Sequence, residues 1–279
     1  AAVQTRSGQA GSVWWGSRHP LALAFVADIV GTAVIFVFSV IFNNSSFYDP
    51  YWSVAPVGIA LVMMLHPMSA GEGGFRSVIL FALVVIWGVR LTANFLIGWS
   101  GLDHEDWRYR NFREEHGRRY WIVSLLGIHL FPTLIVFAGC ISMFPAFTVP
   151  VHPFRFPDVL GAAVIVLALS FETGADLQLK RFLKKDAENP SDLLMEGLWK
   201  YSRHPNYFGE ILFWWGLYLF GLSANPAYWW TFLGPLAITL MFRFISIPMI
   251  EKHMKRKRPH YSDLRKGVPY ILPWFVRND

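Results

Sequence analysis

The amino-acid sequence predicts an all-α integral membrane protein with about seven transmembrane helices in one bundle. Three observations support this prediction. Of 279 residues, 54% are hydrophobic and only 16% are charged, whereas soluble proteins contain about 25% charged residues. The apolar residues are collected into stretches long enough to cross a bilayer. The basic residues are concentrated in alternate loops between these stretches, as they are in multi-pass proteins.

About seven apolar stretches approach the roughly 20 residues that a membrane-spanning helix requires. They are residues 21–41, 52–68, 77–97, 122–147, 159–175, 206–222 and 228–250. The second and the sixth are short and are interrupted by Gly or Pro, and the fourth contains His129 and Pro132. We therefore expect an N-terminal extension, residues 1–20, followed by a single transmembrane domain, residues 21–279.

The loops on one side of the predicted bundle hold 19 of the 25 Lys and Arg residues, and those on the other side hold 4. Arg90 and Arg243 lie within predicted spans. Because cytoplasmic loops are enriched in Lys and Arg, the basic side is predicted to face the cytoplasm or its equivalent. The net charge of +6, spread over loops beside apolar spans, favours anionic headgroups or phosphate ligands and argues against nucleic acid.

The segment 197–210, GLWKYSRHPNYFGE, places polar side chains directly before the apolar run ILFWWGLYLF. Pro205 is suited to the first turn of a helix, which leaves the following N–H groups free to face an anion. Ionisable groups are costly beside a bilayer core, so they indicate function. We predict a phosphate site at the membrane surface, formed by Lys200, Arg203, His204, Asn206 and Glu210.

Two further polar segments lie on the same side. The loop 101–121 is rich in acids and arginines, so it is either an amphipathic surface helix with paired charges or a lid over a ligand. At the end of the fifth span, Glu172 and Asp176 lie one helical turn apart, and Lys180 extends the same face. An ion pair between Asp176 and Lys180 explains the lysine but leaves Glu172 unexplained.

Arg243 lies inside the seventh span, where a lone arginine costs roughly 2.5–3.5 kcal/mol on insertion scales. Glu210, Glu251 and a bound phosphate are the partners that the sequence offers, and it does not choose among them. The basic run that follows, residues 252–258, is predicted to face solvent or lipid headgroups.

Several other chemistries are excluded by spacing. The nine histidines are scattered and Cys140 is the single cysteine, so we expect no metal site and no intrachain disulfide. The sequence contains no glycine-rich dinucleotide fingerprint, no Walker loop and no nucleophile elbow. Any nucleotide site must therefore be of another kind.

The runs ADLQLKRF and YSRHPNYFGE, followed by Arg243, Glu251 and residues 261–274, resemble the C-terminal domain of the steroid 5-alpha-reductase superfamily. The chain is most similar to the uncharacterised bacterial-type branch of that superfamily, and the similarity extends from residue 49 to the end. More distantly it resembles sterol reductases and isoprenylcysteine methyltransferases. The run of ten residues from Tyr201 is much more specific than a lone glycine motif.

This resemblance implies a membrane-embedded, NADPH-dependent reductase of a carbon–carbon double bond in a lipid or steroid-like enone. It also implies a cofactor cavity that opens to the cytoplasmic-equivalent face, with residues 158–279 as the cofactor-binding half. Cationic groups would neutralise the phosphates, and buried carboxylates and amides would hold the ribose and nicotinamide. The cofactor-binding residues that the resemblance implies are Asp176, Lys180, Arg203, His204, Asn206, Tyr207, Gly209, Glu210, Arg243 and Glu251.

The sequence departs from the steroid reductases where the substrate would react. Those enzymes use a Gln-Glu pair before the second span and a Tyr in the third to polarise the enone carbonyl. Here Asp49 stands at the Glu position and Trp87 stands where the Tyr is expected. Trp87 can donate a hydrogen bond but cannot act as a proton acid. Asp49 is predicted either to meet the carbonyl as the catalytic residue or to cap a helix that begins near Pro50.

Two other functions stay open at this point. A methyltransferase that shares the Arg-His-Pro-x-Tyr core would bind S-adenosylmethionine, and the lysines from Lys180 onward favour NADPH over it because only NADPH carries phosphates. A non-catalytic subunit of a larger membrane complex would keep the fold without the reaction. The expected partners are membrane lipids and a hydrophobic small molecule. The acid-free first 27 residues are compatible with processing for an organelle, but the bacterial inner membrane and the endoplasmic reticulum fit equally well.

Overall fold

The computed structural model describes residues 19–69, 74–186, 193–258 and 260–274. The predicted N-terminal extension therefore lies outside the described residues, apart from its last two. Within the described residues the protein is all-helical, with no β-strand. Its α-helices are α1 (Pro20–Ile41), α2 (Tyr48–Leu65), α3 (Gly74–Gly98), α4 (Trp107–His116), α5 (Tyr120–Val123), α6 (Phe131–Ile141), α7 (Phe144–Thr148), α8 (Phe156–Asp186), α9 (Pro205–Ala224), α10 (Leu233–Met241), α11 (Ile247–Lys257) and α12 (Tyr261–Leu264).

In the part of the chain that the structure describes, five helical stretches are long and apolar enough to cross a membrane, so the protein is a multi-pass integral membrane protein. They are Pro20–Ile41, Gly74–Gly98, Trp107–Ile141, Phe156–Lys184 and Pro226–Lys257. The other two predicted spans are also helical, as α2 and α9, but both fall outside these five. These are the two short stretches noted in the sequence as interrupted by Gly or Pro.

Local sequence explains where the helices begin. His19 caps α1 by accepting the Leu21 N–H, and Pro20 occupies the first turn. Pro205 opens α9, as the sequence predicted. The prediction that Asp49 caps a helix is wrong. The helix α2 begins at Tyr48 with no side-chain cap, and Asp49 lies in its first turn with the carboxylate hydrogen-bonded to Tyr109.

The most extensive helix pair in the bundle is α8 with α9. Gly209 allows this close approach, because a Cβ at that position would lie 2.6 Å from the Glu172 Cγ and 2.8 Å from the Ala168 carbonyl oxygen. The core beside this pair is aromatic: Trp87 and Phe213 stack with their centroids 4.4 Å apart, and Trp214 meets Trp87 edge-on.

Two π-helical segments interrupt the long spans. Ser124–Leu130 joins α5 to α6, and Phe242–Ser246 joins α10 to α11. Such segments are often found near functional sites because they change which side chains face a neighbouring helix. The first contains the buried His129, whose imidazole meets the Ser39 hydroxyl and the Ser124 carbonyl, so it is a packed histidine. The second contains Arg243.

Candidate functional site

A cavity of about 540 Å³ lies between the helices on the side of the loop that carries α4. This central cavity has a volume within the range of small-molecule sites, about 300–1,000 Å³. Its wall combines apolar side chains with two sets of polar side chains. One set lies on α3, α8 and α9, and the other lies at the start of α2 and on α4.

The first set of polar side chains is a carboxylate cluster, formed by Glu172 and Asp176 of α8 and Glu210 of α9. Arg90 of α3 forms ion pairs with Glu172 and, at 3.0 Å, with Asp176. Asn94, one turn further along α3, donates to the Asp176 carboxylate at 3.1 Å. The cluster therefore depends on helices that are far apart in sequence but adjacent in the bundle.

The Glu210 carboxylate accepts hydrogen bonds from two tryptophans. The Trp87 Nε1–H donates to one carboxylate oxygen at 3.2 Å, and the Trp214 Nε1–H donates to the other at 3.1 Å. Trp87 is fully buried and does not line the central cavity. It therefore orients Glu210 and does not take the place of the expected tyrosine.

The carboxylate cluster has unused hydrogen-bonding capacity. One oxygen of Glu172 and the Nε–H of Arg90 are buried with no hydrogen-bond partner among the described residues. Asn206 lies beside the cluster, with its amide nitrogen 3.4 Å from an Asp176 oxygen. Buried groups without partners are costly, so this cluster is suited to a ligand that brings hydroxyl or amide groups.

The second set of polar side chains is an acid–phenol pair, formed by Asp49 and Tyr109. The Tyr109 hydroxyl donates to the Asp49 carboxylate at 2.6 Å, and the Arg108 Nη2 lies 3.3 Å from the same oxygen. Asp106 holds Arg108 in place by accepting its Nε–H at 2.7 Å and its backbone N–H at 2.8 Å. Burial raises the pKa of Asp106, but the Arg108 guanidinium outweighs that effect and holds it below its usual value.

Three predicted cofactor residues lie together outside the central cavity. Glu251 accepts hydrogen bonds from Arg203 at 2.8 Å, from His204 at 3.1 Å and from the Tyr261 hydroxyl. Arg203 also donates to the carbonyl oxygens of Val268 and Arg265. This clamp holds the C-terminal segment against the start of α9, and each of its members is satisfied by protein groups.

The other predicted site residues lie in the central cavity, at the contact between α8 and α9, or outside both. The structure brings Asp49, Asp176, Asn206, Tyr207 and Glu210 together in the central cavity. Gly209 acts at the contact between α8 and α9, and Lys180 lies one turn beyond Asp176 without lining the cavity. Arg243 is exposed on another face of its helix, with its guanidinium near the rings of Phe244 and Tyr270. Within the described residues it has no carboxylate partner, so neither Glu210 nor Glu251 neutralises it.

Residues 35–268 match a family described as a protein of unknown function, DUF1295. The chain belongs to this family. The DUF1295 family is related to steroid 5-alpha-reductase-like proteins. An uncharacterised protein of Schizosaccharomyces pombe is 25% identical over 280 residues, which covers 92% of this chain and 80% of the yeast protein. No solved structure matches the chain.

Three cavity residues of this DUF1295 protein, Arg90, Asn94 and Tyr109, were not selected as site residues from the sequence. Arg90 was noted only as an arginine within a span, although an ionisable residue inside a bilayer is by itself a sign of function. Tyr109 was noted only as part of the loop 101–121. Asn94, four residues after Arg90 on an apolar helix, carried the same kind of signal.

Proposed function

We propose that this protein is an NADPH-dependent membrane reductase that reduces a carbon–carbon double bond conjugated to a carbonyl in a lipid or steroid-like molecule. In this proposal α2 and α9 also cross the membrane, which gives seven spans, and the central cavity opens to the cytoplasmic-equivalent face. The family relationship and the YSRHPNYFGE motif support the choice of reaction class.

The observation that carries the proposal is that one cavity contains both the motif residues and the acid–phenol pair. Asp176, Asn206 and Glu210 line one part of it, and Asp49 and Tyr109 line another. A reductase needs a cofactor site and a carbonyl-polarising group within reach of one substrate. Tyr109 supplies the phenol that the third span lacks.

The residues present fit the nicotinamide and ribose part of the cofactor. The unpartnered oxygen of Glu172 and the Asp176 carboxylate can accept hydrogen bonds from hydroxyl and amide groups. The arginines that line the cavity, Arg90 and Arg108, are already paired with acids. Cations for the phosphates are present in a neighbouring recess of about 450 Å³, which shares Arg108, Phe112 and Met249 with the cavity and is also lined by Lys252 and Arg256.

When bound, NADPH would supply the hydride that adds to the β-carbon of the enone. Negative charge then develops on the substrate carbonyl oxygen. The Tyr109 hydroxyl has a single proton, which it donates to the Asp49 carboxylate at 2.6 Å; to stabilise the substrate oxygen it would turn from Asp49 and donate that proton to the substrate instead. Arg108 stabilises Asp49 in its charged form and keeps this pair in position.

One observation favours S-adenosylmethionine methyl transfer as the second candidate. The central cavity is lined by more acids than bases: Asp49, Asp106, Glu172, Asp176 and Glu210 against Arg90 and Arg108. An acidic cavity suits the cationic sulfonium and ammonium groups of S-adenosylmethionine better than a diphosphate. The basic residues in the neighbouring recess are the argument for NADPH.

Isothermal titration of the purified protein with NADPH, NADH and S-adenosylmethionine separates these functions. We expect NADPH to bind tighter than NADH, and Lys252→Gln/Arg256→Gln to lower NADPH affinity by roughly 10- to 100-fold, because charged hydrogen bonds to a phosphate are lost. Arg118→Gln/Arg119→Gln removes two exposed charges elsewhere and is the matched control. Equal binding of the two dinucleotides contradicts the proposal. Binding of S-adenosylmethionine alone supports the methyltransferase, and binding of none supports a non-catalytic subunit.

A further inference from the structure

A second opening lies on the other side of the helix that forms one wall of the central cavity. This basic groove, of about 530 Å³, runs between the stretch 243–256 and the C-terminal segment at Tyr270. Phe242 and Ile245 face the central cavity, whereas Arg243 and Ile247 face the groove. The two openings are therefore separated by the thickness of one helix.

The groove has a large excess of positive charge. Its basic side chains are Arg243, Lys252, Lys255 and Arg256, and within the described residues none of them forms an ion pair with a carboxylate. Among the described residues that line it, the single acid is Glu251, which forms an ion pair with Arg203 and also accepts hydrogen bonds from His204 and Tyr261. Four cations with no anionic partner form a surface that is complementary to an anion.

The position of the groove indicates where that anion comes from. Arg243 belongs to the membrane-spanning stretch Pro226–Lys257, and its neighbour Phe244 is 65% exposed. Such an exposed apolar side chain in a spanning helix faces lipid. Lys255 follows Arg243 by twelve residues, or roughly 18 Å along a helix axis at about 1.5 Å per residue. The groove thus extends from the headgroup level into the lipid-facing surface.

We propose that this groove binds an anionic glycerophospholipid of the surrounding membrane. Lys252, Lys255 and Arg256 contact the headgroup, and Arg243 reaches the phosphate from the acyl-chain side, as long basic side chains do near a membrane surface. The exposed ring of Trp274, on the C-terminal segment, is of the kind that lies at the membrane interface. A lipid phosphate removes the cost of an unpaired arginine in the span.

The proposal is tested by native mass spectrometry of the purified protein titrated with phosphatidylglycerol or with phosphatidylcholine of the same chain length. We expect selective binding of phosphatidylglycerol. Arg243→Gln/Lys255→Gln should weaken that binding by roughly thirtyfold, because each basic residue near an anionic surface contributes about a factor of five. These two residues line the groove but neither the central cavity nor the neighbouring recess.

Arg118→Gln/Arg119→Gln carries the same change in net charge at another exposed site and should retain binding within about twofold. Competition on the unmodified protein provides an independent measurement. Displacement of the lipid by inorganic phosphate would overturn the proposal, because the groove would then be a soluble-phosphate site. Equal retention of the two lipids, or equal loss in both paired variants, would also overturn it.

Discussion

Replacing Glu251 with Gln tests whether the clamp at the start of α9 is structural or belongs to the cofactor site. The side chains of Arg203 and Glu251 are 11% and 7% exposed, so their ion pair is screened little by solvent. Removing one partner of a buried pair costs about 3–5 kcal/mol. Arg203 keeps its two carbonyl acceptors, so we expect a loss near the lower limit, about 3 kcal/mol.

The Tyr261 hydroxyl adds to this loss. Burial raises its pKa, and the hydrogen bond to Glu251 raises it further, so it is a donor across the accessible pH range. Glu251 accepts through both carboxylate oxygens, whereas a glutamine has one acceptor oxygen and an NH₂ group that would face a donor. The C-terminal segment that Arg203 holds through Val268 should therefore loosen as well.

Thermal unfolding in detergent measures the effect. A loss of about 3 kcal/mol corresponds to a fall in Tm of roughly 6–12 °C for a chain of this size. Glu115→Gln removes an exposed carboxylate from α4 and should change the free energy of unfolding by less than about 0.5 kcal/mol. Equal Tm values for the two variants would refute the structural interpretation. Loss of NADPH affinity without loss of Tm would place Glu251 in the cofactor site.

Two further predictions concern the central cavity and the helix pair behind it. If the reductase proposal is correct, Tyr109→Phe should lower kcat by a factor of about 10²–10⁴ and leave NADPH affinity within twofold. Stopped-flow oxidation of NADPH measures the change in rate. An unchanged kcat would exclude Tyr109 as the acid. Gly209→Ala should destabilise the fold by about 1–3 kcal/mol because its Cβ would overlap Glu172. Gly58→Ala, with no atom within 4 Å of the new Cβ, should be neutral or stabilising by up to about 1 kcal/mol, and similar Tm changes at both glycines would contradict the packing argument.

The helical membrane architecture was predictable from sequence, because a chain that crosses lipid needs long apolar stretches and must pair its backbone N–H and C=O groups with one another. Each of the seven predicted stretches is helical, and five are long and apolar enough to span. The site was predictable only in part. Asn206 and Glu210 were selected from the motif YSRHPNYFGE and Asp176 from the run ADLQLKRF, whereas Arg203 and His204 of the first motif lie in the clamp. Hydropathy and motifs indicate the chemical character of a residue, but not which neighbouring side chain forms its hydrogen bonds or ion pairs.

The sequence by itself determined the class of the fold, the start of α9 at Pro205 and the polar residues available to a ligand. Only the tertiary structure decided which of those residues meet. Asp49 reaches Tyr109 across 60 residues, and Arg90 reaches Asp176 across 86. Arg243 faces the basic groove on one side of its helix while Phe242 faces the central cavity on the other. The physical reason is that helix packing angles and π-helical offsets set these pairings, and both depend on contacts between distant segments.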